Sequence, residues 1–185
     1  MDWITNWDLS VLSWIQETFQ CAGADRFFSG ITHLADGGAL WIFLAVLFLI
    51  FPKTRRLGLA MAAALLADLL LCNLLLKPLV ARPRPFDLDT TIAPLIPKPT
   101  DYSFPSGHTA ASFAAAFALV FSRSRHGFWA VPAALILAFS RLYLQVHFPT
   151  DILGGILVGI LAGGLGALLA RKLLQTKKLH RWIPQ

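Results

Sequence analysis

Residues 152–170 read ILGGILVGILAGGLGALLA, nineteen consecutive residues without a charged side chain. A helix that crosses the hydrocarbon core of a bilayer needs about 20 mostly apolar residues. The stretch therefore predicts a transmembrane helix. Its six glycines indicate close packing against neighbouring helices, because small residues let helix backbones approach each other in a membrane.

The composition of the whole chain supports the same class of protein. Of its 185 residues, 56% are hydrophobic and 14% are charged, and the mean hydropathy is +0.63. Soluble proteins carry about 25% charged residues. This chain has too little polar surface to cover a water-soluble globule, and its composition excludes disordered and disulfide-rich classes. The length predicts a single membrane-embedded domain over residues 1–185.

Four further apolar stretches have the length or the composition of membrane spans. They are Gly37–Pro52, Leu57–Leu76, Gly107–Ser122 and Phe128–Val146. The N-terminal segment, residues 1–33, begins with three acidic residues interspersed with three tryptophans, which favours an interfacial helix over a sixth span. We therefore expect an all-α membrane bundle of five to six transmembrane helices plus an N-terminal interfacial helix.

Basic residues predict the orientation of this bundle, because cytoplasmic loops carry an excess of lysine and arginine. The connections after the first and third predicted spans and the C-terminal segment after the fifth hold ten of the 16 basic residues, and these three segments define the cytoplasmic face. The ten are Lys53, Arg55, Arg56, Arg123, Arg125, Arg171, Lys172, Lys177, Lys178 and Arg181. The net charge of +6 thus reflects topology in a cytoplasmic membrane, and no nucleic-acid partner is expected.

Three polar clusters fall at the opposite, extracytoplasmic face, where basic residues should be rare. Residues 77–85 read KPLVARPRP, residues 104–108 read FPSGH, and residues 140–151 read SRLYLQVHFPTD. Charges within or beside a membrane are costly, and by default they mark a functional site. The alternation of the spans brings all three clusters to one depth.

The cationic and helix-initiating residues of these clusters predict a phosphate site. Lys77, Arg84 and Arg141 supply three positive charges, and arginine pairs with phosphate oxygens through its planar fork. Ser106 and Gly107 follow a proline, which is typical of a helix start whose free N–H groups attract an anion.

Two histidines and a carboxylate beside this site predict a chemical reaction. Asp151 follows His147 by four residues, a spacing at which a carboxylate can hold one imidazole nitrogen and leave the other as a nucleophile or base. With His108, one imidazole can attack phosphorus while the other protonates the leaving oxygen. Metal ligation by the same three residues ranks lower, because the surrounding cations would repel a divalent ion.

The three clusters together resemble the signature blocks of the type 2 phosphatidic acid phosphatase superfamily, the integral-membrane lipid phosphatases. The family pattern is Lys, six residues and Arg-Pro, then Pro-Ser-Gly-His, then Ser-Arg, five residues, His, three residues and Asp. The matching residues are Lys77, Arg84, Pro85, Pro105, Ser106, Gly107, His108, Ser140, Arg141, His147 and Asp151.

The resemblance implies a hydrolase of phosphomonoesters or diphosphates that uses a phosphohistidine intermediate and needs no metal or other cofactor. It implies that His147 is the nucleophile, that Asp151 orients it and that His108 is the general acid. The residues implied to hold the phosphoryl group are Lys77, Arg84, Ser106, Gly107 and Arg141.

The resemblance further implies a lipid phosphate as substrate and membrane lipids as surroundings. Undecaprenyl diphosphate is the favoured substrate, and phosphatidylglycerophosphate and phosphatidic acid are the alternatives. A transporter or scramblase of lipid head groups is the alternative of a different class. It would need the cations but not the pairing of His147 with Asp151, and a membrane protein with a dead site would need neither. The oligomeric state stays open.

Three features outside the matched positions carry weaker predictions. Arg82 is expected at the rim of the site. Asp68 precedes Lys77 by nine residues, which on an α-helix places the two side chains on opposite faces. The outer-face loop, residues 86–104, is long enough to form a lid or a lipid access route.

Overall fold

The computed structural model describes residues 3–175, and within this range every regular element is a helix. The predicted all-α class is confirmed. Lys177, Lys178 and Arg181 lie outside the described residues. The α-helices are α1 (Trp3–Phe19), α2 (Ala22–Thr32), α3 (Ala39–Ile50), α4 (Arg55–Asp68), α5 (Lys77–Val80), α6 (Pro85–Leu88), α7 (Gly107–Phe121), α8 (Gly127–Tyr143) and α9 (Pro149–Gln175).

Three helical runs are long and apolar enough to cross a membrane, namely Ala22–Ile50, Pro52–Leu88 and Pro149–Gln175. The helices α7 and α8 are apolar but shorter. These five elements follow the order of the five predicted stretches, while the total of five to six spans stays a prediction. The first run begins well before Gly37 and changes direction there, where Gly37 and Gly38 adopt φ values of 58° and 75° that glycine tolerates.

The helix α7 forms the centre of the bundle and packs against α4, α8 and α9. Five of its 15 residues are alanines with no exposed surface, so that neighbouring helices approach it closely. This arrangement fixes the N-terminal end of α7, where residues 107 and 108 belong to the predicted site.

The glycines of α9 are the contact surface that the sequence predicted. A methyl group added at Gly159 would lie 2.6 Å from the Ala110 carbonyl oxygen, and one at Gly166 would lie 2.4 Å from the Ala60 carbonyl oxygen. Real side chains do not approach backbone atoms so closely. The α9 backbone therefore lies directly on α7 and α4.

Gly163 and Gly164 provide a test of this packing. A β-carbon at Gly163 would lie 2.8 Å from the Phe117 β-carbon and 2.9 Å from the Ala114 carbonyl oxygen. At Gly164 the nearest atoms are ring carbons of Phe121 at 3.6 Å. We expect Gly163→Ala to lower the free energy of unfolding by about 2 kcal/mol.

Gly164→Ala is the matched control, and it should be neutral or slightly stabilising, because alanine is the better helix former. The thermal unfolding midpoints of both variants in one detergent check the difference. Equal midpoints would contradict the packing described above.

A π-helical stretch, Leu69–Leu76, joins α4 to α5 and corrects the predicted position of Asp68. Its i→i+5 hydrogen bonds put more residues in each turn than an α-helix does, so the rotation between Asp68 and Lys77 falls from about two and a half turns to roughly two. Asp68 and Lys77 consequently line one cavity, and the prediction of opposite faces is wrong.

The helix α1 packs against α8 and α9. Leu12 and Ile15 are buried, and Asp8 has no exposed surface. The tryptophans Trp3, Trp7 and Trp14 stay exposed on the other side. An interfacial location of this segment stays a prediction, but one face of α1 is part of the protein core.

Candidate active site

A cavity of about 300 Å³ opens where several helix ends meet. It lies between the start of α5, the start of α7 and the connection from α8 to α9. Six of the eight predicted site residues line it, and the list is Lys77, Arg84, Gly107, His108, Arg141 and His147. The other two, Ser106 and Asp151, are fully buried directly behind it. The structure thus brings together residues from all three sequence blocks.

Arg84 is the most constrained cation of the cavity. It is 2% exposed, and its guanidinium donates to the Val146 carbonyl oxygen at 2.6 Å and to the backbone and side-chain oxygens of Asp101 at 2.8 and 2.6 Å. Its Nη1 also lies 3.4 Å from His147 Nε2. This geometry holds a positive charge beside Nε2 of His147, a residue that lines the cavity.

The other two predicted cations are also buried. The ammonium group of Lys77 donates to Asp101. Arg141 donates from Nη1 to the Thr32 hydroxyl, whereas its buried Nε has no acceptor among the described residues. Since Arg141 lines the cavity, its unused donor can meet a bound anion.

His147 is 1% exposed and is held between Arg84 and Asp151. Its Nδ1 lies 3.5 Å from Asp151 Oδ2, which is longer than a good hydrogen bond, and Nδ1 has no other partner within residues 3–175. Asp151 Oδ2 instead accepts hydrogen bonds from the Ser103 hydroxyl and from the Phe148 backbone N–H.

Burial lowers the pKa of His147 to about 3, and the positive charge of Arg84 adds to the effect against the opposing influence of Asp151. The imidazole is therefore neutral at neutral pH and keeps a free lone pair. We expect the ring NMR signals of His147, assigned with His147→Gln, to stay constant from pH 8 to pH 5 and to shift only in strong acid.

The unfolded chain protonates this histidine near its ordinary pKa of 6.5, so its burial costs stability as the pH falls below that value. A titration midpoint between pH 6 and 7 in the folded protein would contradict this environment.

His108 lies across the cavity and has a carboxylate partner that the sequence did not suggest. Its Nε2 is 2.9 Å from Asp36 Oδ1, and Asp36 Oδ2 is 2.8 Å from His33 Nδ1. Asp36 lies in the break between α2 and α3, and its side chain is half exposed. A carboxylate at this distance accepts a hydrogen bond from an imidazole N–H and fixes the orientation of the ring.

The predicted helix start at residues 106 and 107 is confirmed, but the Ser106 side chain makes no capping hydrogen bond to the backbone of α7. Its backbone is extended, and its hydroxyl accepts from Thr109 Oγ1 at 3.0 Å instead of bonding the first turn. Gly107 lies against Asn73 and Lys77, with 3.1 Å left between an added β-carbon and Asn73 Oδ1. The small residue keeps the backbone N–H groups close to the lysine.

Asp101 occupies the place where an anion would bind. Its carboxylate accepts from both Lys77 and Arg84, and these two cations hold its pKa at about 2 although burial alone would raise it. Asp101 is half exposed and belongs to the loop of residues 86–104. An incoming phosphate must therefore displace this carboxylate.

We expect Asp101→Asn to bind orthophosphate about tenfold more tightly, because the amide competes more weakly for the two cations. Inhibition constants for phosphate or vanadate would measure the change, with Asp89→Asn in the same loop as the control. Weaker inhibition in Asp101→Asn would show instead that Asp101 holds Lys77 and Arg84 in place for the ligand.

A larger apolar cavity of about 660 Å³ continues from this site between α3 and α4. It shares Lys77, Asp101, Gly107 and His108 with the smaller cavity. Its apolar lining includes Ile42, Ala45, Val46, Leu49, Leu65, Leu66 and Leu69. A cationic pocket thus joins a hydrocarbon-lined groove, which suits a molecule with an anionic head and an apolar tail.

The loop of residues 86–104 contributes Ile96, Pro97 and Pro99 to the wall of the smaller cavity. The loop therefore lies beside the site, as the sequence led us to expect. Its place on the outer face of a membrane stays a prediction.

Arg82 is not the rim residue that the sequence suggested. Its Nη1 donates to Asp151 Oδ1 at 2.6 Å, and its Nη2 donates to Asp8 Oδ2 at 2.6 Å. The side chain is 17% exposed, and both of its carboxylate partners are fully buried. The sequence does not indicate the pairing of Arg82 with Asp8, because Asp8 lies 74 residues away in a segment that is predicted to be an interfacial helix.

The comparisons with known proteins point to one family. The PAP2 superfamily matches residues 56–174. An undecaprenyl-diphosphatase of Sulfolobus acidocaldarius is 34% identical over 122 residues, which cover 65% of this chain and 58% of that protein. Undecaprenyl-diphosphatase BcrC of Bacillus subtilis is 38% identical over 96 residues, or 52% of this chain and 49% of that protein. The matched part thus spans about half of each relative.

The fold is similar to that of a solved membrane enzyme. The crystal structure of a PAP2-type phosphatidylglycerolphosphate phosphatase from Bacillus subtilis superposes with a TM-score of 0.71 at 26% identity. The superposition covers 94% of this chain and 87% of that protein.

Proposed function

We propose that this chain, which belongs to the PAP2 superfamily, is a membrane lipid phosphatase that removes the terminal phosphate of a lipid phosphate or diphosphate. One observation supports the proposal most directly. Arg84 Nη1 lies 3.4 Å from His147 Nε2, and both residues line a cavity that Lys77, Arg141 and His108 also line. Undecaprenyl diphosphate is the preferred substrate, supported by the two undecaprenyl-diphosphatases that resemble this chain.

The reaction starts when the three cations take over the phosphate oxygens and displace Asp101. His147 Nε2 then attacks phosphorus, and the bond to the leaving oxygen breaks as His108 donates a proton to it. The product is a phosphohistidine, whose imidazolium charge is balanced by Asp151 at Nδ1. Water then attacks the phosphorus, gives its proton to His108, and releases inorganic phosphate with His147 restored.

The residues present supply nucleophile, acid and anion site without a metal. Among residues 3–175, no three His, Cys, Asp or Glu side chains are arranged so that they could hold a metal ion together. The three cations are the groups that balance the phosphate charge in this proposal, and they would repel a divalent ion from the same cavity.

The cavity faces the extracytoplasmic side of the cytoplasmic membrane in this proposal, and the C-terminus lies in the cytoplasm. This orientation is supported by the basic residues at the opposite end of the bundle. There Lys53, Arg55 and Arg56 precede or start α4, and Arg123 and Arg125 join α7 to α8.

Phosphatidylglycerophosphate and phosphatidic acid are the alternative substrates. The similarity to the Bacillus subtilis structure favours the first of them. The apolar groove beside the phosphate cavity accepts a hydrocarbon chain of any of these lipids, so the phosphate chemistry is common to all three.

Release of inorganic phosphate from the three lipids, measured side by side in detergent with EDTA, tests the proposal. We expect EDTA-resistant release that is fastest with undecaprenyl diphosphate. Activity that disappears on chelation would overturn the metal-independent mechanism. Head-group movement across vesicles without phosphate release would favour the transporter. His126→Ala is the control, because the His126 ring contacts the Phe48 ring, His126 does not line either cavity, and the variant should keep full activity.

A further inference from the structure

Arg82 joins three segments that are far apart in the sequence. Besides Asp8 and Asp151, it donates to the Thr150 hydroxyl at 2.7 Å. Its guanidinium also lies over the Phe148 ring, 4.1 Å from the ring centre. The planar fork is thereby fixed in position by one aromatic face and three acceptors.

Asp8 completes this cluster from α1. It has no exposed surface, and its two carboxylate oxygens accept from the Thr150 backbone N–H at 3.0 Å and from the Thr150 hydroxyl at 2.6 Å as well as from Arg82. A buried carboxylate with this many donors is fully satisfied. It ties α1 to the first turn of α9, where Asp151 lies.

The two carboxylate oxygens of Asp151 have different partners. Oδ1 accepts from Arg82, whereas Oδ2 accepts from Ser103 and Phe148 and faces His147 Nδ1. Removal of the cation would leave a buried charge without its partner, which is far more costly than removal of an exposed ion pair. The carboxylate would then take up a proton or turn away from the imidazole.

We propose that Arg82 and Asp8 are positioning residues for the reaction, because they hold the Asp151 carboxylate ionised and aimed at His147 Nδ1. This inference rests on the proposed function, in which His147 is the nucleophile. Neither residue lines the cavity, so neither touches the substrate. The proposal gives α1 a part in the chemistry that its tryptophan-rich sequence does not suggest.

The test compares Arg82→Gln, Arg82→Lys and Asp8→Asn with the wild type in the phosphate release assay. We expect Arg82→Gln to lower kcat by about 10²-fold with KM unchanged, because the nucleophile is misplaced while the phosphate site stays intact. Arg82→Lys should restore part of kcat through its charge. The kcat of Asp8→Asn should lie between that of the wild type and that of Arg82→Gln.

The pH dependence separates positioning from a merely structural role. The charged or titratable groups that face Asp151 are Arg82 and His147, and Arg82 in turn faces Asp8. Without Arg82, Asp151 takes up a proton more readily, so the acid limb of kcat/KM should move to higher pH in Arg82→Gln. A structural role would lower the unfolding midpoint and leave the limb in place.

Lys98→Gln is the matched control, because Lys98 also lies over an aromatic ring, 5.0 Å from the ring centre of Phe86, but outside this cluster. Wild-type kcat and an unshifted acid limb in the folded Arg82 and Asp8 variants would overturn the inference. If Arg82→Gln does not fold, the same comparison is made with Arg82→Lys and Asp8→Asn. Full activity of His147→Ala would instead refute the proposed function itself.

Discussion

Replacement of His147 by alanine should lower the rate of phosphate release by at least about 10³-fold. The imidazole is the group proposed to form the bond to phosphorus, and it lies 3.4 Å from the Arg84 guanidinium that would hold the phosphate. The variant keeps Lys77, Arg84 and Arg141, so its affinity for orthophosphate should change little. Loss of turnover with retained anion binding is the expected signature of a missing nucleophile.

Trapping of the intermediate checks the same prediction directly. Wild-type protein that is denatured during turnover of a radiolabelled lipid phosphate should carry label that is stable in alkali and labile in acid, as expected for a phosphorus–nitrogen bond. His147→Ala should carry none, and His126→Ala should be labelled like the wild type. More than a tenth of the wild-type rate in His147→Ala would contradict the assignment.

Replacement of His108 by alanine should have an effect that depends on the leaving group. The lipid alcohol that leaves from phosphatidic acid or phosphatidylglycerophosphate is strongly basic and leaves easily only when it is protonated, so phosphate release from these lipids should slow by about 10²- to 10⁴-fold. The 4-nitrophenolate of nitrophenyl phosphate needs no proton, and its release should slow by less than about tenfold. The ratio of the two rates separates an acid from a residue that merely binds phosphate.

Asp36→Asn refines this second prediction, since Asp36 is the carboxylate partner of His108. It should reproduce the leaving-group dependence in weaker form. Equal losses with both substrates in His108→Ala would show that His108 holds the phosphate in the ground state and is not the proton donor.

The sequence predicted the parts of the site that depend on local chain geometry. A serine and a glycine after a proline start α7, and Pro149 starts α9, because these residues suit the first turn of a helix wherever they occur. The alternation of apolar stretches then brings the ends of α7, α8 and α9 to one end of the bundle. These features place the predicted cations and histidines in one cavity without any knowledge of tertiary contacts.

The acidic partners of the site could not be predicted in this way. Asp36 and Asp101 reach His108 and Lys77 only through the path of the segments before α3 and before α7, which tertiary packing decides. The partners of Arg82 lie 69 and 74 residues away in the sequence. Nothing in a single sequence marks such distant pairs.

The predicted position of Asp68 is wrong for a different reason. The interval to Lys77 was converted to an angle with 3.6 residues per turn, which is correct for an α-helix only. The leucine-rich residues 69–76 carry no pattern that distinguishes i→i+5 from i→i+4 hydrogen bonding. The error is therefore one of helix type and not of helix existence.

The hydrogen bonds that Asp8 accepts from Thr150 determine when a newly synthesised chain can complete this end of the bundle. The two residues are 142 positions apart, so the ribosome has to produce most of the chain before the aspartate meets its threonine. During synthesis α1 leaves the ribosome long before α9 does. The contacts between α1 and the first turn of α9 can therefore form only after the last helix has been made, and we expect a chain arrested before that point to release no phosphate.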